Sequence, residues 1–499
     1  MEDLLRRIFV EGQRYTDFRK EMWLQATSFA WKNLTDPLVR RQFQKLAVLD
    51  DDLLPKEEHA EFFRIAAEME DIYSQAKVDN LSLEPGFNDR GELWRGPYES
   101  LTLEGRNGRT VGDPSAVYLE MHAYVRMKLV KLYGEEVVKP DGPIPAPPAR
   151  QHVGRELEIL QDISRPFPDK QDVDITPEMV RRNLTAIQMF KISEDFFTSL
   201  GMKRMTPEFW HYSVLEKQEA MKCYTFAWTL CADDDFRMMH CSVPTQEDLA
   251  LVHHMMGNIQ YYQHYANQLD VFQYGANPGF HEAIGGSPGV VEADINFLMS
   301  MALEKIAFLP FSYLIDLWRW DIFRGSVDNL NDRWWQLRQQ YQGLCPPVRR
   351  SENDFDPGAN NHVPGNSPQI RHFFSYILQF QLQEVLCREA GHVGPLHTCD
   401  IYGSHAAGDK LAGLLRLGSS MPWQDALARM TGGSGKLDAR PLLNYFAPLR
   451  RHIRDSLGNS TVGWTPATTT SAPRQPSART PATNRPRGLS TRYHLKINK

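Results

Sequence analysis

His254 and Asn258 stand four residues apart in the apolar stretch 251–262, a spacing that places both side chains on one face of a helix. An H-E-x-x-H helix binds zinc through two imidazoles at that spacing and uses its glutamate as general base. Here the same frame reads His254, Met255, Met256, Gly257 and Asn258, so one imidazole remains and the base position is a thioether. His240, His253, His264 and His281 lie nearby in sequence and raise the question of a different ligand set. His253 and His254, however, are consecutive on a helix and point about 100° apart, so they do not readily face one ion. The remaining imidazoles read more simply as core or solvated groups.

The elements that must carry these residues read as helices. The pattern predicts helix over 1–78, with a helix start at Pro55, and again over 116–132, 177–200, 207–216, 246–265, 295–342 and 370–390. Residues 79–115, rich in Gly and Pro, read as a loop. Residues 140–148 contain five prolines and read as an extended connector. The run 221–232, with Tyr-Thr-Phe-Ala-Trp between two cysteines, is the best strand candidate. Loops are expected over 345–368. The chain of 499 residues is 42% hydrophobic, with 11 Trp, 25 Phe and 18 Tyr, enough for a sizeable core.

Charge is distributed unevenly. Residues 465–499 hold seven Lys or Arg and no acid, so the formal net charge of −6 splits into +7 for this segment and −13 for the rest. The acidic body argues against nucleic-acid binding. The Thr/Pro/Ser/Arg segment 465–499 is expected to be disordered. The opening Met-Glu-Asp-Leu-Leu-Arg-Arg does not read as a signal peptide. The apolar region 297–318 is interrupted by Glu304, Lys305 and Asp316 and does not read as a membrane span. N-x-S/T triplets stand at Asn33, Asn80, Asn183 and Asn459.

Several runs resemble the angiotensin-converting enzyme family of zinc peptidyl-dipeptidases: those beginning at His253, at Gly275 through His281-Glu282, at Ala302, at Tyr341 through Cys345, and at Gly394 through Tyr402. The resemblance covers residues 21–464 and implies a mainly α fold: a helical two-subdomain ellipsoid with a deep central groove, few short strands, and an N-terminal lid of which this chain holds part. It implies one peptidase-like domain over 1–464, shortened near 97–116 and after 285, followed by the basic tail.

The resemblance also implies a metal site made of His254, Asn258 and Glu282, with Met255 at the general-base position. Gly286 stands where a carboxylate would orient a ligating imidazole. An amide is a poor zinc ligand, and a thioether has no proton chemistry near neutral pH. General-base catalysis alone is worth about 10²–10⁴ in rate. The positions that hold a peptide's terminal carboxylate fall on Asn360, Gln369 and Arg155. Those flanking the scissile bond fall on Tyr224 and His362, and the intermediate-stabilising position falls on His372. Trp334, Arg338 and Arg371 match positions around bound chloride. Cys223–Cys241 and Cys387–Cys399 match two of the family's disulfides, while Cys345 matches an unpaired cysteine and Cys231 is extra.

The leading expectation is a non-catalytic pseudopeptidase that acts as an extracellular or cell-surface binding protein. Zinc is not expected to bind, chloride binding stays open near Arg371, and the peptide or protein ligand is unidentified. The alternatives are a metallopeptidase with residual peptidyl-dipeptidase activity and a chain whose shortenings prevent stable folding.

Overall fold

The computed structural model describes residues 18–19, 21–48, 89–99, 114–146, 160–170, 174–217, 223, 225–230, 234–285, 295–360 and 362–465. The fold is mainly helical, with two small sheets among the described residues: Phe226–Thr229 pairs antiparallel with Phe236–Met239, and Ile144–Pro145 pairs parallel with Leu344–Cys345. The first pair realises the expected strand, and the second uses the proline-rich connector in extended form.

The central helix, Gln246–Tyr265, has the boundaries its sequence pattern predicts. Thr245 caps it by accepting from the Asp248 amide at 3.1 Å. A short helix, Pro278–Gly285, packs against both the central helix and the helix Ile370–Glu389. Ile295–Phe323 runs through the core, and by length and composition alone it would be long and apolar enough to cross a membrane. Most of that stretch is buried inside the protein, and one of the charges that interrupt it, Asp316, is used internally, as described below.

Three expectations are corrected. The expected loop 79–115 contains the helix Arg90–Arg95 and the 3-10 turn Gly96–Tyr98, with Leu93, Trp94 and Tyr98 buried. Gly91 misled the reading because it serves close packing: a Cβ there would lie 2.6 Å from Cδ1 of Trp320. The expected helix 177–200 is two helices, Thr176–Arg181 and Ala186–Ser199. The chain breaks at Asn183, with φ 51°, and restarts at a capping box in which Thr185 and Gln188 exchange hydrogen bonds. The expected helix 295–342 is also interrupted, at the turn through Gly325 before Leu330–Leu337. The helix start at Pro55 and the segment 466–499 lie outside the described residues.

One apolar cluster spans most of the core, and a second, smaller one gathers Phe308, Phe311, Trp318, Trp334 and Trp335. Disulfides join Cys223 to Cys241 and Cys387 to Cys399, and Cys345 is free. Cys231 lies outside the described residues.

Candidate functional site

On the central helix, adjacent residues face different surroundings. His253 stacks on Phe197, with ring centroids 5.0 Å apart, and meets the edge of Phe196. Burial there pushes its pKa down to about 4, so it acts as an aromatic packing group. Its neighbour His254 turns toward the short helix, where its Nε2 lies 3.6 Å from Oε2 of Glu282. Met255 is 8% exposed and belongs to the main apolar cluster. Asn258 is partly buried, and its side-chain oxygen is enclosed with no hydrogen-bond donor.

The short helix is fixed so that Glu282 faces this point. Ala276 N donates to the Tyr261 hydroxyl at 3.0 Å, tying the turn to the central helix. Asn277 accepts from the Gly279 amide at 2.9 Å. A Cβ on Gly279 would fall 2.8 Å from Cβ of Phe374, so the approach to Ile370–Glu389 requires glycine. His281 is held among Tyr261, Tyr262 and Tyr265, its ring 4.4 Å from that of Tyr261. Burial pushes the His281 pKa down to about 4, and its position directs the following residue, Glu282, the other way.

The helix Ile370–Glu389 brings two more groups to Glu282. Arg371 Nε is 3.6 Å from Oε1 of Glu282, and His372 Nδ1 is 3.9 Å from Oε2. Burial alone would raise the Glu282 pKa, but His254, His372 and Arg371 together hold it well below the usual carboxylate range. His372 is pushed down to about 4, chiefly by burial, with Glu282 opposing and Arg371 assisting. His362 is also pushed down to about 4 by burial, with Arg371 and Arg319 contributing.

What anchors this helix was not singled out from the sequence. Asp316, fully buried on the long core helix, accepts from the amides of Gln369 at 2.8 Å and Ile370 at 2.7 Å and pairs with Arg319. Arg319 donates to the carbonyls of His362 at 3.0 Å and Ser367 at 2.8 Å. One buried ion pair therefore sets both the first turn that bears Arg371 and His372 and the loop that bears His362. The available signal was an Asp and an Arg three residues apart in a mainly apolar helix; the reading took Asp316 only as an interruption of a span and did not single out Arg319.

The structure thus brings His254, Glu282, Arg371 and His372 together. Asn360 is buried and accepts at its side-chain oxygen from the His362 amide at 3.1 Å, with the His362 ring nitrogen 2.8 Å from the same oxygen. Gln369 is fully buried and folds back on its own turn, donating to the carbonyls of Ser367 and Pro368. Trp334 and Arg338 belong elsewhere, the Arg338 guanidinium lying among Phe311, Trp334 and Trp335. Arg155, Tyr224 and Gly286 lie outside the described residues. Among the described residues, no three His, Cys, Asp or Glu side chains form a group that could hold a metal ion.

A family model described as angiotensin-converting enzyme matches residues 5–85 and 81–464. Angiotensin-converting enzyme of Mesocricetus auratus is 39% identical over 89% of this chain and 40% of its own length. The Bos taurus enzyme is 45% identical over 76% of this chain and 31% of its own length. The angiotensin-converting enzyme-like protein Ace3 of Mus musculus is 37% identical over 88% of this chain and 70% of that protein. The chain spans 40% of the length of the first of these relatives.

Proposed function

The chain belongs to the angiotensin-converting enzyme family, and we propose that it is a non-catalytic member that acts as a binding protein. The observation that carries this reading is the state of Glu282. Both carboxylate oxygens face cationic or imidazole partners supplied by the protein itself, His254, Arg371 and His372.

The donor set does not fit a zinc ion of the kind the family's chemistry implies. Two strong ligand types remain, His254 and Glu282, and the third position offers an amide oxygen. Met255, at the position of the general base, is packed in the core and cannot accept a proton. His362 and His372 are neutral at physiological pH because burial depresses both. On this reading, the groove that the family resemblance implies beside Glu282 receives a peptide or protein segment through hydrogen bonds and contacts, without hydrolysing it.

Two disulfides support an extracellular or cell-surface setting, because such bonds persist in oxidising compartments. The exposed Asn33, Asn183 and Asn459, each in an N-x-S/T triplet, support the same setting and a glycosylated chain.

Restoring Met255→Glu and Asn258→His together separates the parts of the argument. The unaltered chain is expected to release no C-terminal dipeptide from a peptide in the presence of zinc. Return of chelator-sensitive release in the double variant would place the defect in the metal helix. Continued inactivity would place it in the groove. Chelator-sensitive release by the unaltered chain would overturn the reading in favour of residual peptidyl-dipeptidase activity.

A further inference from the structure

Away from the Glu282 cluster, two helices carry a surplus of positive charge. Ser115–Tyr133 holds Arg126, Lys128 and Lys131 against Glu120, and Ala447–Leu457 holds Arg450, Arg451 and Arg454 against Asp455. Six cations stand against two acids here, although residues 1–464 as a whole carry a net charge of −13. The helices pack against each other. Glu120 is taken up by Arg450 at 3.0 Å and Arg454 at 2.7 Å, which leaves no acid on its own helix for Lys128 or Lys131.

The cations of the two helices meet along one line. Glu120, Tyr124, Lys128 and Lys131 follow one stripe at helical spacing. Lys128 Nζ lies 5.1 Å over the Tyr124 ring, and the His452 ring is 6.3 Å from the same tyrosine. Burial and the neighbouring Lys131 push the Lys128 pKa down; burial and Lys128 do the same to His452, with Asp455 opposing. Like charges are therefore crowded. Phe167, 38% exposed, packs on His452 at 5.1 Å and carries Lys170 5.3 Å over its ring. A third segment thus adds an aromatic face and another cation.

The chain comes back to this patch before its basic segment begins. Arg126, buried, donates to the carbonyls of Gly463 at 2.6 Å and Thr461 at 2.5 Å. The Thr465 amide donates to the Asp141 carbonyl at 2.8 Å, and Trp464 Nε1 to the Gln339 carbonyl at 2.8 Å. The root of residues 465–499 is pinned in this way to the helix that bears Lys128 and Lys131. Asp455 is the last acid in the chain, and seven more Lys or Arg follow it. That segment has the same sign as the patch and is a poor cover for it.

We propose that this surface binds a sulfated polysaccharide, with Lys128, Lys131 and Arg451 meeting sulfate groups along the two helices and the cations of 474–499 extending the contact. The charge forms a line and not a pocket, which fits a linear polyanion better than a single anion. The Phe167 ring beside Lys170 fits a repeating unit with an apolar C–H face as well as charge. Nucleic acid is disfavoured by the acidic body. In the oxidising, cell-surface setting proposed above, sulfated polysaccharide is the linear polyanion at hand. The inference takes only that setting from the proposed function and nothing from the Glu282 cluster.

The test is calorimetric titration of the full chain with a heparin oligosaccharide of defined length, at several salt concentrations. Binding is expected at physiological salt and should weaken as salt rises. The unsulfated oligosaccharide of the same backbone should bind at least about tenfold more weakly. Lys128→Gln, Lys131→Gln and Arg451→Gln together should weaken heparin binding about tenfold, as three surface ion pairs would, with the melting temperature unchanged. Lys131→Glu with Arg451→Glu leaves Lys128 over Tyr124 and should weaken binding at least as much. Changing the seven cations of 465–499 to Gln should weaken it separately.

Absence of heparin binding would overturn the proposal, as would equal binding of the unsulfated oligosaccharide. So would unchanged affinity in both helix variants, which would leave the contact to 465–499 alone. Tighter binding to phosphatidylserine vesicles than to heparin would assign the surface to a membrane instead, and tighter binding to single-stranded DNA would assign it to nucleic acid; either result contradicts the proposal.

Discussion

Replacing Asp316 with alanine should destabilise the protein more than any other single change near the Glu282 cluster. Asp316 is fully buried; it receives two backbone amides, at 2.8 and 2.7 Å, and pairs with Arg319, itself 3% exposed. Removing one member of a buried pair costs about 3–5 kcal/mol because the other charge stays uncompensated. Each amide left without an acceptor adds about 1–3 kcal/mol. Relaxation around the new space reduces the sum, so about 4–7 kcal/mol is expected.

Urea unfolding followed by circular dichroism reads this loss directly. Arg319→Met and the double variant complete a cycle: the double variant should lose about 1–3 kcal/mol less than the two single losses combined, as for directly paired residues. A loss below about 1 kcal/mol for Asp316→Ala, or strict additivity in the cycle, would refute the claim that this pair anchors the helix bearing Arg371 and His372.

Gly91→Ala should cost about 1–3 kcal/mol in the same assay, since the added methyl meets Trp320 at 2.6 Å in a buried site. Replacing both Cys387 and Cys399 with alanine should cost about 3 kcal/mol by freeing the loop their disulfide closes, read as a lowered urea midpoint. His122 gives a pH dependence of known sign. Burial holds its pKa at about 3, while in the unfolded chain it titrates near 6.5. Between these values the unfolded state binds a proton that the folded state refuses, so the His122 contribution falls as pH drops from 6.5 toward 3 and is constant above 6.5. The melting temperature of His122→Gln should fall less steeply than that of the unaltered chain across this window; parallel slopes would contradict the assignment.

The central helix was legible because its apolar residues recur at helical spacing, and Phe226–Thr229 was legible because aromatic and β-branched residues cluster there. Gly91 was misread because a glycine that allows close packing looks the same in sequence as one that makes a turn. The helix break at Asn183 was missed because its left-handed turn is enforced by the capping box after it, which overrides a continuous apolar pattern. At the site, identities could be assigned one by one, but their direction could not. That Glu282 faces Arg371 depends on His281 lodging among three tyrosines and on Asp316 fixing a distant helix end, and neither is local in sequence.

The central claim is tested most directly by the metal content of the purified, folded chain after incubation with excess zinc and removal of unbound ion. The arrangement of Glu282 with His254, Arg371 and His372 predicts zinc far below stoichiometry and no change in melting temperature. One tightly held zinc per chain, with a melting temperature lowered by a chelator, would contradict it.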